Sequence, residues 1–189
     1  NKKNQISVIH IGDGAIEEGA FYESLNYACL KNLPALYFCE NNFYSVYSPL
    51  DVRQPSSRNL NSLSEAIGSK AYKANGNNPI ECYETLDKAI SICRNNDGPV
   101  FIEFETYRWL EHCGPNYDDN LNYRPKEEVK YWLNKDPLKF AESLLSDNQL
   151  SEYNQYCGEL KHEIDNSFEF AFNSDAPNQK AAFTQVFSS

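Results

Sequence analysis

The stretch VIHIGDGAIEEG, Val8 to Gly19, carries an apolar strand straight into an aspartate set between two glycines. A β-branched run such as Ile6 to Ile11 is of the kind found in buried parallel strands. Glycines after such a strand open a turn whose backbone amides can cradle a phosphate. An acid is a poor neighbour for a phosphate. At about 4 Å and an effective dielectric near 20, one carboxylate against one phosphate charge costs on the order of 4 kcal/mol. Asp13 at the centre of the turn therefore needs a physical reason.

Beyond the turn, Phe21, Leu25, Ala28 and Cys29 recur at helical spacing and share one face. Leu33-Pro34 closes that helix, and Ala35 to Cys39 reads as a second strand. Strand, helix and strand within about forty residues make a βαβ unit, which is right-handed almost without exception. Ser45 to Asn61 is polar and punctuated by prolines, the pattern of a long functional or mobile loop. A helix is predicted from about Ser62, then a turn at Gly76-Asn77-Asn78-Pro79 and a helix with Leu86, Ala89, Ile90 and Cys93 on one face. Val100 to Glu105 is the third clear strand, and the remainder reads as helices: Pro125 to Asn134, one opening at Asp136-Pro137, and a long one over roughly Ser151 to Asn173. The pattern predicts an α/β fold, a parallel sheet with helices on both faces and a helical C-terminal part. Residues 1–125 are expected to form the α/β domain and 126–189 a helical extension packed on it. In such sheets ligands sit beyond the carboxyl ends of the strands. Gly12 to Ala15, Glu40 to Tyr44 and Thr106 to Pro115 are the segments at that edge.

With 189 residues, 41% of them hydrophobic, the chain is long enough for one ordinary core. A net charge of −10, with the basic residues scattered, argues against a nucleic-acid partner. No apolar run approaches the roughly 20 residues of a membrane helix and the start has no signal-peptide plan, so no membrane role and a cytoplasmic setting are expected. The six cysteines include no CxxC pair and read as buried, reduced thiols, with a disulfide framework or zinc site far behind. The sequence contains no methionine, even at position 1, and starts directly on a core strand, so it is expected to be the C-terminal part of a larger subunit.

Three chemistries compete for the turn. A dinucleotide site finds an acid in Glu40 at the end of the second strand, but Glu17 stands where its third glycine belongs. A P-loop fails because no Gly-Lys-Ser/Thr appears. A divalent cation between acid and phosphate turns the repulsion into attraction, since magnesium takes one or two carboxylates, neutral oxygens and phosphate oxygens. Asp13 offers the carboxylate and Glu40-Asn41-Asn42, ending the next strand, offers amide oxygens. Alone, a GDG turn or an Asn-Asn pair signals little; their combination across one βαβ unit is what favours a metal-bridged phosphate.

The stretch GDGAIEEGAFYESLNYACLKNLPALYFCENN resembles the thiamine-diphosphate signature, GDG followed by NN some thirty residues on. It looks like the alpha subunit of the thiamine-dependent first component of 2-oxo acid dehydrogenase complexes, the pyruvate, branched-chain and acetoin dehydrogenase type. The similarity extends through GPVFIEFETYR at Gly98 to Arg108, His112 in the following loop, Tyr123-Arg124 with Glu127-Glu128, Asp136-Pro137, and the closing AFTQVFSS. The resemblance implies thiamine diphosphate with Mg2+ as cofactors. Asp13 and Asn42 would be metal ligands with the Tyr44 carbonyl as a third, while Gly12, Gly14 and Ala15 would border the diphosphate. His112 matches a loop histidine that reaches the cofactor; without the resemblance, a lone loop histidine reads more often as solvated. Arg108 and Arg124 could hold loop or phosphate, or pair with Asp118, Asp119 or Glu127. His10 and His162 read as structural, and Glu17 and Glu18 as favouring a helix start.

The family places the activating glutamate and pyrimidine-binding domain on a beta subunit, so an α2β2 heterotetramer acting on a 2-oxo acid is implied, with a lipoyl carrier as acceptor in complex-forming branches. Those branches carry His-Gly-His-Ser where this chain has Leu110-Glu111-His112-Cys113, and a cysteine there removes control through that serine. Two other readings stand beside it: a relative passing its acyl or aldehyde unit to a non-lipoyl acceptor in a biosynthetic pathway, and a non-catalytic nucleotide-binding module.

Overall fold

The computed structural model describes residues 4–184. They fall into two compact units, the first running through Ala141 and the second from Glu142.

The first unit is built on four parallel strands. In chain order they are β1 (Ser7–Gly12), β2 (Ala35–Asn41), β5 (Lys70–Asn75) and β6 (Val100–Glu105), and their spatial order is β1-β2-β6-β5. Between β2 and β5 lie a two-residue hairpin, β3 (Tyr44–Ser45) against β4 (Ser48–Pro49), and the short helix α2 (Leu50–Arg53). The other helices of this unit are α1 (Gly19–Leu30), α3 (Leu60–Ile67), α4 (Pro79–Arg94) and α5 (Lys126–Leu133), and α6 (Pro137–Glu142) ends at its boundary.

The twofold alternation of the strands sorts their side chains into two cores. Tyr37 and Cys39 of β2 and Phe101 of β6 face α1 and α3, meeting Phe21, Leu25, Ala28 and Leu60. Leu36 of β2 and Val100, Ile102 and Phe104 of β6 face the opposite side, where α4 contributes Ala89 and Cys93. Helices on both faces of a parallel sheet are what the alternation of elements predicts. Starts and stops follow local chemistry. The Asn78 side chain accepts from the amides of Ile80 and Glu81, with Pro79 at the first position of α4. Asn59 caps α3, and Gly68 ends it at φ 119°, a left-handed conformation that glycine adopts without a steric penalty.

Several expectations need correction. The β1 run lies at an edge of the sheet: Ile9 and Ile11 pack inward, whereas Val8 and His10 are exposed on the other face. The strand β5 carries no clear sequence signal, because KAYKAN is an edge strand whose lysines break any run of apolar residues while Ala71 and Ala74 pack on opposite faces. The expected loop from Ser45 to Asn61 is partly ordered by β3, β4 and α2, with α3 starting already at Leu60. Pro125 caps α5 and does not enter its first turn. All six cysteines are free, Cys39 and Cys93 buried and Cys113 and Cys157 exposed. Most of the closing AFTQVFSS lies outside the described residues.

The second unit contains one long helix, α7 (Asp147–Asn173), opened by a capping box between Ser146 and Gln149. No helix among the described residues is long and apolar enough to cross a membrane.

Phe101 is fully buried and meets the Phe21 ring at 5.9 Å between centroids. Phe101→Ala is expected to cost about 3–5 kcal/mol, read as a lowered midpoint in denaturant with an unchanged slope.

Candidate functional site

The carboxyl edge of the sheet brings together the turn after β1, the segment after β2 and the loop after β6. Gly12 pairs in register with Glu40, so Asp13 stands one residue past the last paired position of β1. Its side chain is 1% exposed. Burying a carboxylate is costly unless a cation and hydrogen bonds answer it, and here Arg53 supplies the cation. One arm of its guanidinium donates to Asp13 Oδ2 and the other to Glu17 Oε1. Gln54 Nε2 donates to the Asp13 carbonyl at 3.2 Å and to Glu17 Oε1 at 2.9 Å. Two residues at the end of α2 thus close over the turn. Glu17, expected only to favour a helix start, is a member of this network. The helix start itself differs, since one 3₁₀ turn (Ala15–Glu17) and an extended Glu18 precede α1.

The two glycines of the turn are unequal. A Cβ at Gly12 would meet open space, whereas one at Gly14 would lie 2.7 Å from Ser45 Oγ. Gly14 is therefore the residue whose lack of a side chain lets the loop close.

After β2 the backbone turns through two side-chain bonds. Asn41 Oδ1 accepts from the Phe43 amide at 3.1 Å, and Asn42 Oδ1 from the Tyr44 amide at 3.0 Å, with Phe43 at φ 68°. Asn41 is buried and donates to Glu103 Oε1 at 2.7 Å. Asn42 borders an open cavity of about 420 Å³ shared with Glu40, Thr106 and Arg108. Asp13, by contrast, faces Arg53 and Gln54.

Tyr44 and Tyr107 both donate their hydroxyls to Glu128 Oε1, at 2.8 and 2.9 Å. Burial and then the Glu128 carboxylate push both phenols above their ordinary range. The Tyr107 ring stacks on Trp132 at 5.5 Å, which locks α5 against the segment after β6. The choice left open for the arginines resolves toward structure. Arg124, 1% exposed, pairs with Asp118 and Asp119 and bonds the carbonyls of Arg108 and Trp109. Arg108 donates to the Val46 carbonyl at 2.8 Å and the Tyr123 hydroxyl at 3.2 Å.

His112 is exposed, on a turn that Glu111 closes through its amide and carboxylate, both bonded to Asn116. His10 lies on the outer face of β1, 3.9 Å from Glu40.

A family model described as "Dehydrogenase E1 component" matches residues 1–180. The chain is 33% identical to the pyruvate dehydrogenase E1 component subunit alpha of Rickettsia bellii, over 99% of this chain and 57% of that protein. It is 32% identical to the 2-oxoisovalerate dehydrogenase subunit alpha of Bacillus subtilis, over 79% and 44%, and 31% identical to the 3-methyl-2-oxobutanoate dehydrogenase subunit alpha of Mycobacterium tuberculosis, over 78% and 40%. The chain belongs to the dehydrogenase E1 component family. It spans about half the length of these relatives.

Membership in the dehydrogenase E1 family implies thiamine diphosphate, and the donor set at the sheet edge can be tested against its diphosphate and a divalent cation. Among the described residues no group of three or more His, Cys, Asp or Glu side chains could hold a metal. A cation held by the described residues would therefore draw on at most two such side chains, completed by neutral oxygens and the phosphate itself, a set that suits magnesium. Asp13, Asn42 and the Tyr44 carbonyl offer hard oxygen donors of that kind, while the open side of Gly14 faces Ser45 and Arg53. These residues fit, on the condition that Arg53 yields Asp13.

Removing the shared acceptor by Glu128→Ala strands two tyrosine hydroxyls and is expected to cost about 1–3 kcal/mol for each. Because both phenols are raised in the fold, their contribution is complete below about pH 10, the ordinary tyrosine value, and is lost as pH climbs through the folded values. Melting temperatures from pH 8 upward should fall above pH 10 in the wild type.

Proposed function

We propose that this chain is the part of a thiamine-diphosphate-dependent 2-oxo acid dehydrogenase alpha subunit that binds the cofactor's diphosphate and Mg2+. The observation that carries the reading is a single buried carboxylate, Asp13, at the carboxyl end of β1 beside the strand that ends in Asn41-Asn42. Asp13 serves as the charged metal ligand, with Asn42 Oδ1 and the Tyr44 carbonyl as the neutral ones. Gly12, Gly14 and Ala15 let the turn approach the diphosphate. Thiamine diphosphate, when bound, supplies the electron sink for decarboxylating a 2-oxo acid. The chain's own work is to bind and orient it. Glu128 fixes Tyr44 from the side-chain end while Asn42 fixes it at the amide, so the Tyr44 carbonyl is held from two directions. His112, exposed at the same edge, is available to the reacting end of the cofactor.

A beta subunit carrying the pyrimidine-binding domain and the activating glutamate completes the site, in an α2β2 assembly in the cytoplasm. The Glu111–Asn116 closure of the His112 loop and the cysteine at 113 favour a second reading of the acceptor: a non-lipoyl molecule in place of a lipoyl carrier protein.

In the assembled protein, Asp13→Ala is expected to abolish Mg2+-dependent thiamine diphosphate binding; unchanged affinity in calorimetry would overturn the metal assignment. His112→Ala should keep cofactor affinity and lose turnover with an artificial electron acceptor by about 10²-fold or more. Full activity would leave His112 a solvated loop residue.

A further inference from the structure

Arg53 sits where a metal assignment would least expect a permanent cation. Its side chain is 11% exposed, and its two terminal nitrogens are spent on Asp13 and Glu17. The Asp13 carboxylate is the one charged donor that the proposed site offers to a divalent ion. A guanidinium and a divalent cation cannot share that group, because they would be held in contact in a region nearly closed to water, where like charges repel strongly. We propose that Arg53 competes with the divalent cation for the Asp13 carboxylate, so that metal and diphosphate bind by exchange, with the guanidinium leaving Asp13 and taking α2 with it.

The element that carries Arg53 is built to move. α2 is a single turn of four residues with none buried, and Val52 is 71% exposed. Its ties to the rest of the chain are the Arg53 and Gln54 contacts with Asp13 and Glu17 and the Arg53 Nε bond to the Ser48 carbonyl at 3.1 Å, while the Gln54 amide bond to the Leu50 carbonyl closes its own turn. Few buried contacts mean a low cost of local opening. Glu17, with a quarter of its side chain exposed, can keep the displaced guanidinium near the surface. Arg53 lies on the same lip of the turn as the close approach of Ser45 to Gly14, so its departure opens the side on which phosphate oxygens would enter. The metal affinity that is observed is then the intrinsic affinity reduced by the fraction of molecules in which Arg53 has already withdrawn.

The inference rests on the reading of Asp13 as a metal ligand, and the test separates the two. The assembled alpha–beta protein, without and with thiamine diphosphate, is titrated with Mn2+ as the probe, and free Mn2+ is read by electron paramagnetic resonance. Arg53→Gln should tighten Mn2+ binding about tenfold or more, because the competing charge is gone. Arg53→Lys keeps the charge but loses the two-armed grip, and should tighten binding by a smaller factor. It also carries the test if Arg53→Gln does not fold. Equal or weaker Mn2+ binding in these variants overturns the exchange and makes Arg53 a buttress or a phosphate clamp. Binding that is insensitive to Asp13→Asn overturns the metal reading itself, and the exchange with it.

Discussion

The Asp13 carboxylate is the constraint on which the arrangement of the sheet edge depends. A charge that is 1% exposed at the end of a strand must be answered locally, and the chain answers it with residues forty positions away. Arg53 and Gln54 reach Asp13 and Glu17 together, so the turn after β1 and the segment after β4 form one network of hydrogen bonds. Gly14 makes this closure sterically feasible, since a side chain there would strike Ser45. A buried ion pair of this kind contributes little to stability, because desolvation offsets most of its attraction. Its presence at the carboxyl edge of a parallel sheet, where ligands bind in such folds, therefore speaks for function more than for folding.

A second network holds the neighbouring segment, and here neutral donors, an amide and two phenols, answer the carboxylates of Glu103 and Glu128 where the first network uses a guanidinium. The two asparagines that end β2 divide the work. Asn41 is anchored beneath by Glu103 of the adjacent β6, and Asn42 turns outward to cap the Tyr44 amide. Tyr44 is then fastened at its far end to Glu128, which also takes the Tyr107 hydroxyl. The segment after β2 is thereby tied to α5, whose Val129 joins Tyr44 and Tyr107 in a small aromatic core. An oxygen donor from the backbone at Tyr44 is as well positioned as the two cores that flank the sheet.

The legibility of the sequence follows from the range of the interactions. The β1-α1-β2 unit could be read because strand and helix periodicities are local and strong, and because Asp13 and Asn42 fall at its two strand ends. β5 could not be read, because KAYKAN puts small residues toward both cores, Ala71 on the α1 and α3 side and Ala74 on the α4 side, beneath a polar pattern. Arg53, Gln54 and Glu17 were invisible for a different reason. A long polar loop between elements points to function, but no periodicity says which of its residues will fold back on a turn forty positions away. Glu128 was seen only as half of a Glu-Glu pair opening a helix, a place where acids are favoured by the dipole alone. Only the packed structure shows that one of the two, half-buried, accepts from two phenols.

The unequal hold on the two halves of the site has a mechanical consequence. Asn41 and Tyr44 are tied by hydrogen bonds to carboxylates of β6 and α5, elements with their own buried side chains, and Asn42 is held by the Tyr44 amide. Asp13 and Glu17 are fixed on one side by Arg53 of a four-residue helix with no buried residue and by the buried Gln54 that follows it. Anything that binds this edge and needs Asp13 will therefore displace α2 before it disturbs the asparagine turn, because the former gives up only polar contacts that an incoming cation can replace. In the proposed exchange Asn42 and the Tyr44 carbonyl would stay as a fixed reference while Asp13 is uncovered by the movement of the weaker partner. An edge organised in this way couples the arrival of positive charge to the release of the segment from Ser48 to Gln54, and places that coupling in two like-charged carboxylates sharing one arginine.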